Sequence, residues 1–156
     1  MAGKMSEEQK AIARAFDKAG ALIELNGDME ITTLQCVGRR TKDDHIALLS
    51  DLHSLRKLIL SYTAVTDTGL ESLSALVDLE QLSLFRNDIT DAGLAHLAGL
   101  QALQQLNLES TKVSDAGLVH LRGLTSLQRL SIDHDSVTQP AIDELRVHLP
   151  DCEMYR

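Results

Sequence analysis

The sequence predicts an α/β solenoid, a stack of short strand-turn-helix units, each too small to bury its own apolar face. Two observations carry this. Three consecutive blocks of 24 residues, LRKLILSYTAVTDTGLESLSALVD from Leu55, LEQLSLFRNDITDAGLAHLAGLQA from Leu79 and LQQLNLESTKVSDAGLVHLRGLTS from Leu103, place apolar residues at positions 1, 4, 6, 11, 16, 19 and 22. In the middle copy these are Leu79, Leu82, Leu84, Ile89, Leu94, Leu97 and Leu100. The periodicity also changes within each block: positions 4 and 6 alternate as in a strand, and positions 16, 19 and 22 recur at the spacing of one helix face.

The elements follow in order from the N-terminus. Ser6 to Ala19 reads as a helix, with Ser6 and Gln9 as a capping box, Ile12 and Phe16 on one face and Gly20 as the stop. Ala21 to Leu25, Asn26-Gly27 and Met29 to Val37 read as a hairpin closed by a type I′ turn. Residues 1–30 are thus expected to cap the front of the stack. A docking peptide that lies in a partner's groove is the other reading of the helix, but its narrow apolar face suits a cap better.

Five repeats fill residues 31–149. The first, from Ile31, keeps Leu34, Cys36, Ile46, Leu49 and Leu52 in register, with Thr41 departing at position 11. The last, from Leu127, keeps Leu130, Ile132, Val137, Ile142, Leu145 and Leu149 with one residue inserted. Terminal repeats are commonly degraded in this way. Residues 150–156 are expected to end the last helix at Leu149-Pro150 and add a closing strand with Cys152 and Met154 facing the core. The whole chain, 1–156, reads as one domain.

Inside the repeat, the small polar residue at position nine (Thr63, Asn87, Thr111, Asp135) can bridge backbone groups of adjacent turns and so build a polar ladder. Thr66-Asp67, Thr90-Asp91, Ser114-Asp115 and Thr138-Gln139 supply helix N-caps. The glycines that follow weaken these helices, which limits them to between one and two and a half turns. Seven buried apolar side chains per repeat, at roughly 1.5 to 3 kcal/mol each, hold the stack.

Composition narrows the function. With 23 Asp plus Glu against 15 Lys plus Arg, a net charge of −8, the chain lacks the clustered cations that a phosphate backbone requires. No run of 18 apolar residues occurs, and the charged opening Met1-Ala-Gly-Lys-Met-Ser-Glu-Glu does not suit a secretory leader. A cytoplasmic location without membrane or nucleic-acid contact is expected. Cys36 and Cys152 stand where leucine would, about five rungs apart, on the order of 24 Å at the strand spacing, too far for a disulfide. They read as small core residues, reduced and inert.

The string TDAGLxxLxxLxxLxxLxLxxT, in a repeat of this length, resembles bacterial leucine-rich-repeat proteins with 24-residue VTDAGL-type repeats. It is also similar to the ITDxGL repeats of eukaryotic F-box adaptors, from which it departs in having one helix, too little for an F-box, before the repeats. The resemblance covers residues 21–156. It implies a leucine-rich-repeat solenoid, a short right-handed α/β arc with a parallel sheet on the concave face and short helices on the convex face, and a role in protein recognition.

On such an arc the residues between the leucines project from the concave face in columns. Position five gives Gln35, Ile59, Ser83, Asn107 and Ser131; position seven Val37, Ser61, Phe85, Glu109 and Asp133; position eight Gly38, Tyr62, Arg86, Ser110 and His134; position ten Arg40, Ala64, Asp88, Lys112 and Ser136. Of four aromatics in the chain, Tyr62 and Phe85 fall on this face beside Ile59 and Arg86, the composition of a binding hot spot. A plain cross-strand pair is the alternative. Glu109, Asp133 and Asp135 make the C-terminal half acidic, with Lys112, Arg129 and His134 at its edges, so that half could receive a basic segment. The candidate partner-binding residues are Ile59, Tyr62, Phe85, Arg86, Glu109, Lys112, Asp133 and His134.

Asp133-His134-Asp135 invites a metal reading, as do His96, His120 and Glu144 one repeat apart, but Asp135 has the ladder role and the helix column is spaced too widely for coordination. Nucleophile elbows, phosphate loops and HExxH or CxxC motifs do not occur in the sequence. The expectation is a non-enzymatic module without catalytic residues, metal or cofactor, monomeric or weakly homo-oligomeric, that binds a protein or peptide. A structural or regulatory subunit that self-associates or is built into a larger assembly is the alternative.

Overall fold

A computed structural model describes residues 4–133 and 135–155. Seven strands form one sheet in chain order: β1 (Leu22–Leu25), β2 (Ile31–Val37), β3 (Lys57–Ser61), β4 (Gln81–Ser83), β5 (Gln105–Asn107), β6 (Arg129–Ser131) and β7 (Glu153–Tyr155). β1 is antiparallel to β2, and every later pair is parallel. The register between β3, β4, β5 and β6 advances by 24 residues, Leu58 to Leu82 to Leu106 to Leu130. This is the α/β leucine-rich-repeat arc expected from the sequence, with short helices on the other side of the core.

The core is continuous along the stack. All seven apolar positions of the three regular repeats are buried, as are Leu34, Cys36 and Ile46 of the first and Leu130, Ile142 and Leu149 of the last. Thr41, the polar residue at position 11 of the first repeat, is also buried, and among the described residues its hydroxyl makes no hydrogen bond of good geometry. Burial pushes the Cys36 thiol up to about 11, with the Thr41 hydroxyl pulling weakly the other way, and pushes Cys152 up to about 11 with help from the Glu153 charge. Both cysteines are free and buried, in keeping with their reading as core residues.

At the front, α1 (Glu7–Ala19) is capped by Ser6, whose hydroxyl accepts from Gln9 N at 3.2 Å, and ends at Gly20 in the left-handed region. The expected capping box is only half formed. Gln9 Oε1 accepts instead from Ile31 N, 2.9 Å, and so ties the helix to β2. Ile12, Phe16 and Ala19 join the core, and Phe16 meets His45 edge-on at 5.7 Å.

The hairpin turn differs from the expected type I′. Such a turn needs positive φ at both central residues, yet the positive φ in this loop is at Met29, 65°, and not at Gly27. Asn26 organises a longer connection: its side-chain oxygen accepts from Asp28 N and Glu30 N, both 3.0 Å, and its carbonyl from Met29 N. The asparagine side chain took over the turn that the Asn-Gly pair suggested.

On the convex side α2 (Asp43–Ala47), α3 (Asp67–Glu71) and α4 (Asp91–Leu94) are one-turn helices, the last two running on as 3₁₀ turns; Asp115–Leu121 is 3₁₀ throughout, and α5 (Gln139–His148) is longest. Of the expected N-caps, Thr90 and Ser114 accept from Ala92 N and Ala116 N, whereas Thr66 and Thr138 stand at the N-cap position without a side-chain cap bond, their hydroxyls donating to the Asp of the preceding repeat. Each Asp accepts two hydrogen bonds from the next repeat: Asp43 from Thr66 N and Oγ1 (2.8 and 2.7 Å), Asp67 from Thr90 (2.9 and 2.6 Å), Asp91 from Ser114 (2.7 and 2.6 Å) and Asp115 from Thr138 (2.7 Å each). The glycine two residues after Asp67, Asp91 and Asp115 makes room for the carboxylate of the preceding repeat. A Cβ on Gly69 would stand 2.5 Å from Asp43 Oδ1, and the same overlap would arise at Gly93 with Asp67 and at Gly117 with Asp91. In the last repeat Ala141 replaces glycine, and there Asp115 is exposed. The position-nine ladder is local by comparison. Thr63 N and Oγ1 donate to Asn87 Oδ1 (2.9 and 2.6 Å) and Asn87 Nδ2 donates to Leu60 O, whereas Thr111 turns back to Leu108 O and Asp135 is exposed.

Candidate functional site

The open face of the sheet is built by one row of register across all seven strands: Leu22, Gln35, Ile59, Ser83, Asn107, Ser131 and Tyr155. Its ends are apolar or aromatic and its middle is polar. The parallel row beside it, Glu24, Thr33, Lys57, Gln81, Gln105, Arg129 and Glu153, is polar throughout. Between these rows lies a groove of about 310 Å³ lined by Ile59, Gln81, Ser83, Gln105, Arg129 and Tyr155 among others.

At the strand ends the chain turns, and position eight holds the turn. Gly38, Tyr62, Arg86 and Ser110 all have positive φ, 100°, 57°, 53° and 57°. This geometry aims the amide of each at the next rung: Gly38 N donates to Ser61 O, Tyr62 N to Phe85 O and Arg86 N to Glu109 O at 3.0 to 3.1 Å. Ser110 N finds Asp133 Oδ2 instead, at 2.6 Å.

The structure brings Tyr62, Phe85 and Arg86 together. The two rings meet in a T at 5.5 Å and 80°, and the Arg86 guanidinium carbon stands 4.9 Å from the Tyr62 ring centre and 5.6 Å from that of Phe85. Tyr62 is 45 % exposed and Phe85 half-buried. Each such contact is worth about 0.5 to 1.5 kcal/mol. Ile59 lies in the neighbouring groove and not in this cluster.

The acidic half is more occupied than its composition suggests. Asp133 is committed to the Ser110 amide, and Glu109 faces Asn107, whose Nδ2 donates to Glu109 Oε2 at 3.2 Å and whose Oδ1 receives the Glu109 amide. Lys112 pairs with Asp88 at 2.6 Å on the surface. His134 lies outside the described residues. A second groove, about 440 Å³, runs past the turns and takes in Arg39, Ala64, Arg86, Asp88, Ser110 and Lys112.

Two features of the face escaped the column reading. Tyr155 is a third aromatic on it, 51 % exposed, and its hydroxyl donates to Glu153 Oε2 at 2.6 Å, which holds the phenol above its ordinary range. The signal was present, since core-facing Cys152 and Met154 force Tyr155 outward. Leu22, 54 % exposed, extends the apolar end from the hairpin, beside Val37 at 58 %.

Comparison with known proteins bears on the fold. The leucine-rich-repeat family model matches residues 51–74 and 77–98. No curated protein matches the chain. Among solved structures it is similar to a leucine-rich-repeat protein of Leptospira interrogans, at 24 % identity and a TM-score of 0.56 over 70 % of this chain and 27 % of that one. It is also similar to an internalin of Listeria monocytogenes, at 21 % identity and a TM-score of 0.52, covering 94 % of this chain and 82 % of the other. The leucine-rich-repeat ectodomain of the receptor kinase SOBIR1 of Arabidopsis thaliana gives 14 % identity and a TM-score of 0.60, covering 98 % and 93 %. The chain thus spans about a quarter of the Leptospira protein, and what it shares with all three is the leucine-rich-repeat fold.

Proposed function

We propose that the chain is a non-enzymatic recognition module of the cytoplasm that binds a protein or peptide on its concave face, with Tyr62, Phe85 and Arg86 as anchors. One observation carries this reading. Tyr62 and Arg86 occupy a left-handed turn in which Gly38 shows the unstrained choice, yet the chain places an aromatic and an arginine there and packs them on the half-buried Phe85. A left-handed backbone costs a non-glycine residue about 1 kcal/mol or more, so fold stability alone does not select these side chains. Leucine-rich-repeat arcs typically mediate protein-protein interactions, and the two buried, unpaired cysteines suit a reducing compartment.

Self-association is the second reading, favoured by β1, whose outer edge is unpaired among the described residues and which carries exposed Leu22 and Leu25. Light scattering on the eluted peak separates the two, because a stable monomer at tens of micromolar removes it. The main test immobilises the wild type, a Tyr62→Ala/Phe85→Ala variant and a convex-face control, Ala95→Arg/Val119→Arg, against extract of the native host. Proteins held by the wild type and the control but lost by the concave variant are expected, each substitution weakening the partner by more than about 1 kcal/mol. The opposite pattern places binding on the helices and overturns the proposal.

A further inference from the structure

The N-terminal half of the concave face has a chemistry of its own. Leu22, Val37, Ile59, Tyr62 and Phe85 are its apolar side chains, and Leu22 and Val37 are more than half exposed at 54 % and 58 %. Arg39 and Arg86 line the adjoining groove. Among the described residues neither guanidinium has a carboxylate within ion-pairing distance, while the groove's other cation, Lys112, is already matched by Asp88. The two rings beneath Arg86 take up its π contacts, and none of its guanidinium N–H groups has a hydrogen-bond acceptor among the described residues. Unused N–H donors on a guanidinium fit a carboxylate, which they can grip in two parallel hydrogen bonds.

We infer that this half of the face docks an acidic peptide segment of another protein, which sets an apolar side chain against Val37, Tyr62 and Phe85 and an Asp or Glu carboxylate on Arg86 and Arg39. The inference rests on the concave-face reading and specifies the partner's chemistry. A polyanion such as nucleic acid is a poor occupant, because two cations cannot neutralise a run of phosphates. A basic segment is a poor occupant too, since Asp133 and Glu109 are engaged within the chain. A segment that alternates apolar and acidic residues uses both features. Its charge contacts act over about one Debye length, ~8 Å at physiological salt, and its apolar contacts supply the remainder.

The test is a selection from a random peptide library displayed on phage, with the full chain immobilised, followed by fluorescence anisotropy of synthetic copies of the selected peptides. The expected result is enrichment of Asp or Glu next to Phe, Tyr, Leu or Ile, with binding weakened about tenfold or more by Arg39→Gln/Arg86→Gln. The glutamine variant must melt as the wild type does, and Arg86→Gly, which relaxes the turn, gives an independent check that must weaken the same peptides. Selected peptides without acidic enrichment, or a selection that yields no binder, overturn the inference. Non-acidic peptides that are nevertheless lost on Phe85→Ala overturn the acidic partner alone and leave the concave-face function standing. Acidic peptides indifferent to Phe85→Ala and to the arginine variants overturn both.

Discussion

At position eight of four successive repeats φ lies between 53° and 100°, and glycine fills only the first of the four. The other three bear a strain that their side chains must offset or that function must justify. Tyr62 and Arg86 have ring and cation contacts that return part of it. Ser110 has neither, because its bond to Asp133 is made by the backbone amide, which glycine also owns. Ser110→Gly is therefore expected to stabilise the protein by about 1 kcal/mol, seen as a higher urea midpoint with unchanged slope. A lowered midpoint would show that the turn is unstrained and would remove the main support for the anchors. The TDxG motif makes a second prediction. Gly93→Ala forces a methyl group onto the Asp67 carboxylate, so it should cost about 1 to 3 kcal/mol. The same change in an Asp67→Ser background should cost clearly less, and additive effects in the double-mutant cycle would refute the contact. The Asp and Gly of this motif were legible in the sequence as cap and helix-weakener. Their joint role was not, because it links residues of neighbouring repeats, a relation that a single repeat's pattern does not display.

At the scale of elements, what the sequence showed depended on whether a pattern or a single side chain decided the structure. Periodicity over many positions located α1, the strands of the repeats and their apolar faces, since each rests on several residues that must share one face. The hairpin turn rested on one dipeptide, and the Asn26 side chain closed a longer loop instead. The convex helices vary for a related reason. α5, without glycine, forms a ten-residue α-helix, whereas α3 and α4, which carry Gly69 and Gly93, hold one α turn before running on as 3₁₀, and Asp115–Leu121, with Gly117, is 3₁₀ throughout. The concave site was visible as columns, including Tyr62, Phe85 and Arg86; the alternation of Cys152 and Met154 carried the signal for Tyr155, and only the reach of Leu22 onto the same face required the register of β1. α1 is expected to be indispensable to the stack. Deleting residues 1–20 uncovers the core that Ile12 and Phe16 close and takes away the Gln9 tie to β2. Oligomers or aggregates should appear by light scattering. A monomer with an unchanged melting point would instead make the helix an appendage, available for docking elsewhere.

The whole molecule is a one-dimensional stack whose core passes unbroken from Phe16 to Cys152. Each rung is stitched to the next by strand hydrogen bonds on the concave side and by the Asp-to-Thr bonds on the convex side. Stability in such an array is a sum of weak units and strong interfaces, so damage in the middle removes two interfaces while damage at an end removes one. Leu106→Asp, at a site 2 % exposed in β5, buries an uncompensated carboxylate that costs several kcal/mol against a total of about 5 to 15. It should abolish protection from hydrogen exchange through all five repeats. Met154→Asp lies at the half-buried end strand, and its effect should stay within β7 and α5, leaving Tyr62 and Phe85 in place and any partner bound there with unchanged affinity. Hydrogen exchange resolved by mass spectrometry distinguishes these patterns. If the repeats before Leu106 keep full protection in Leu106→Asp, the arc is two cooperative units rather than one, and the N-terminal binding face would fold independently of the repeats behind it.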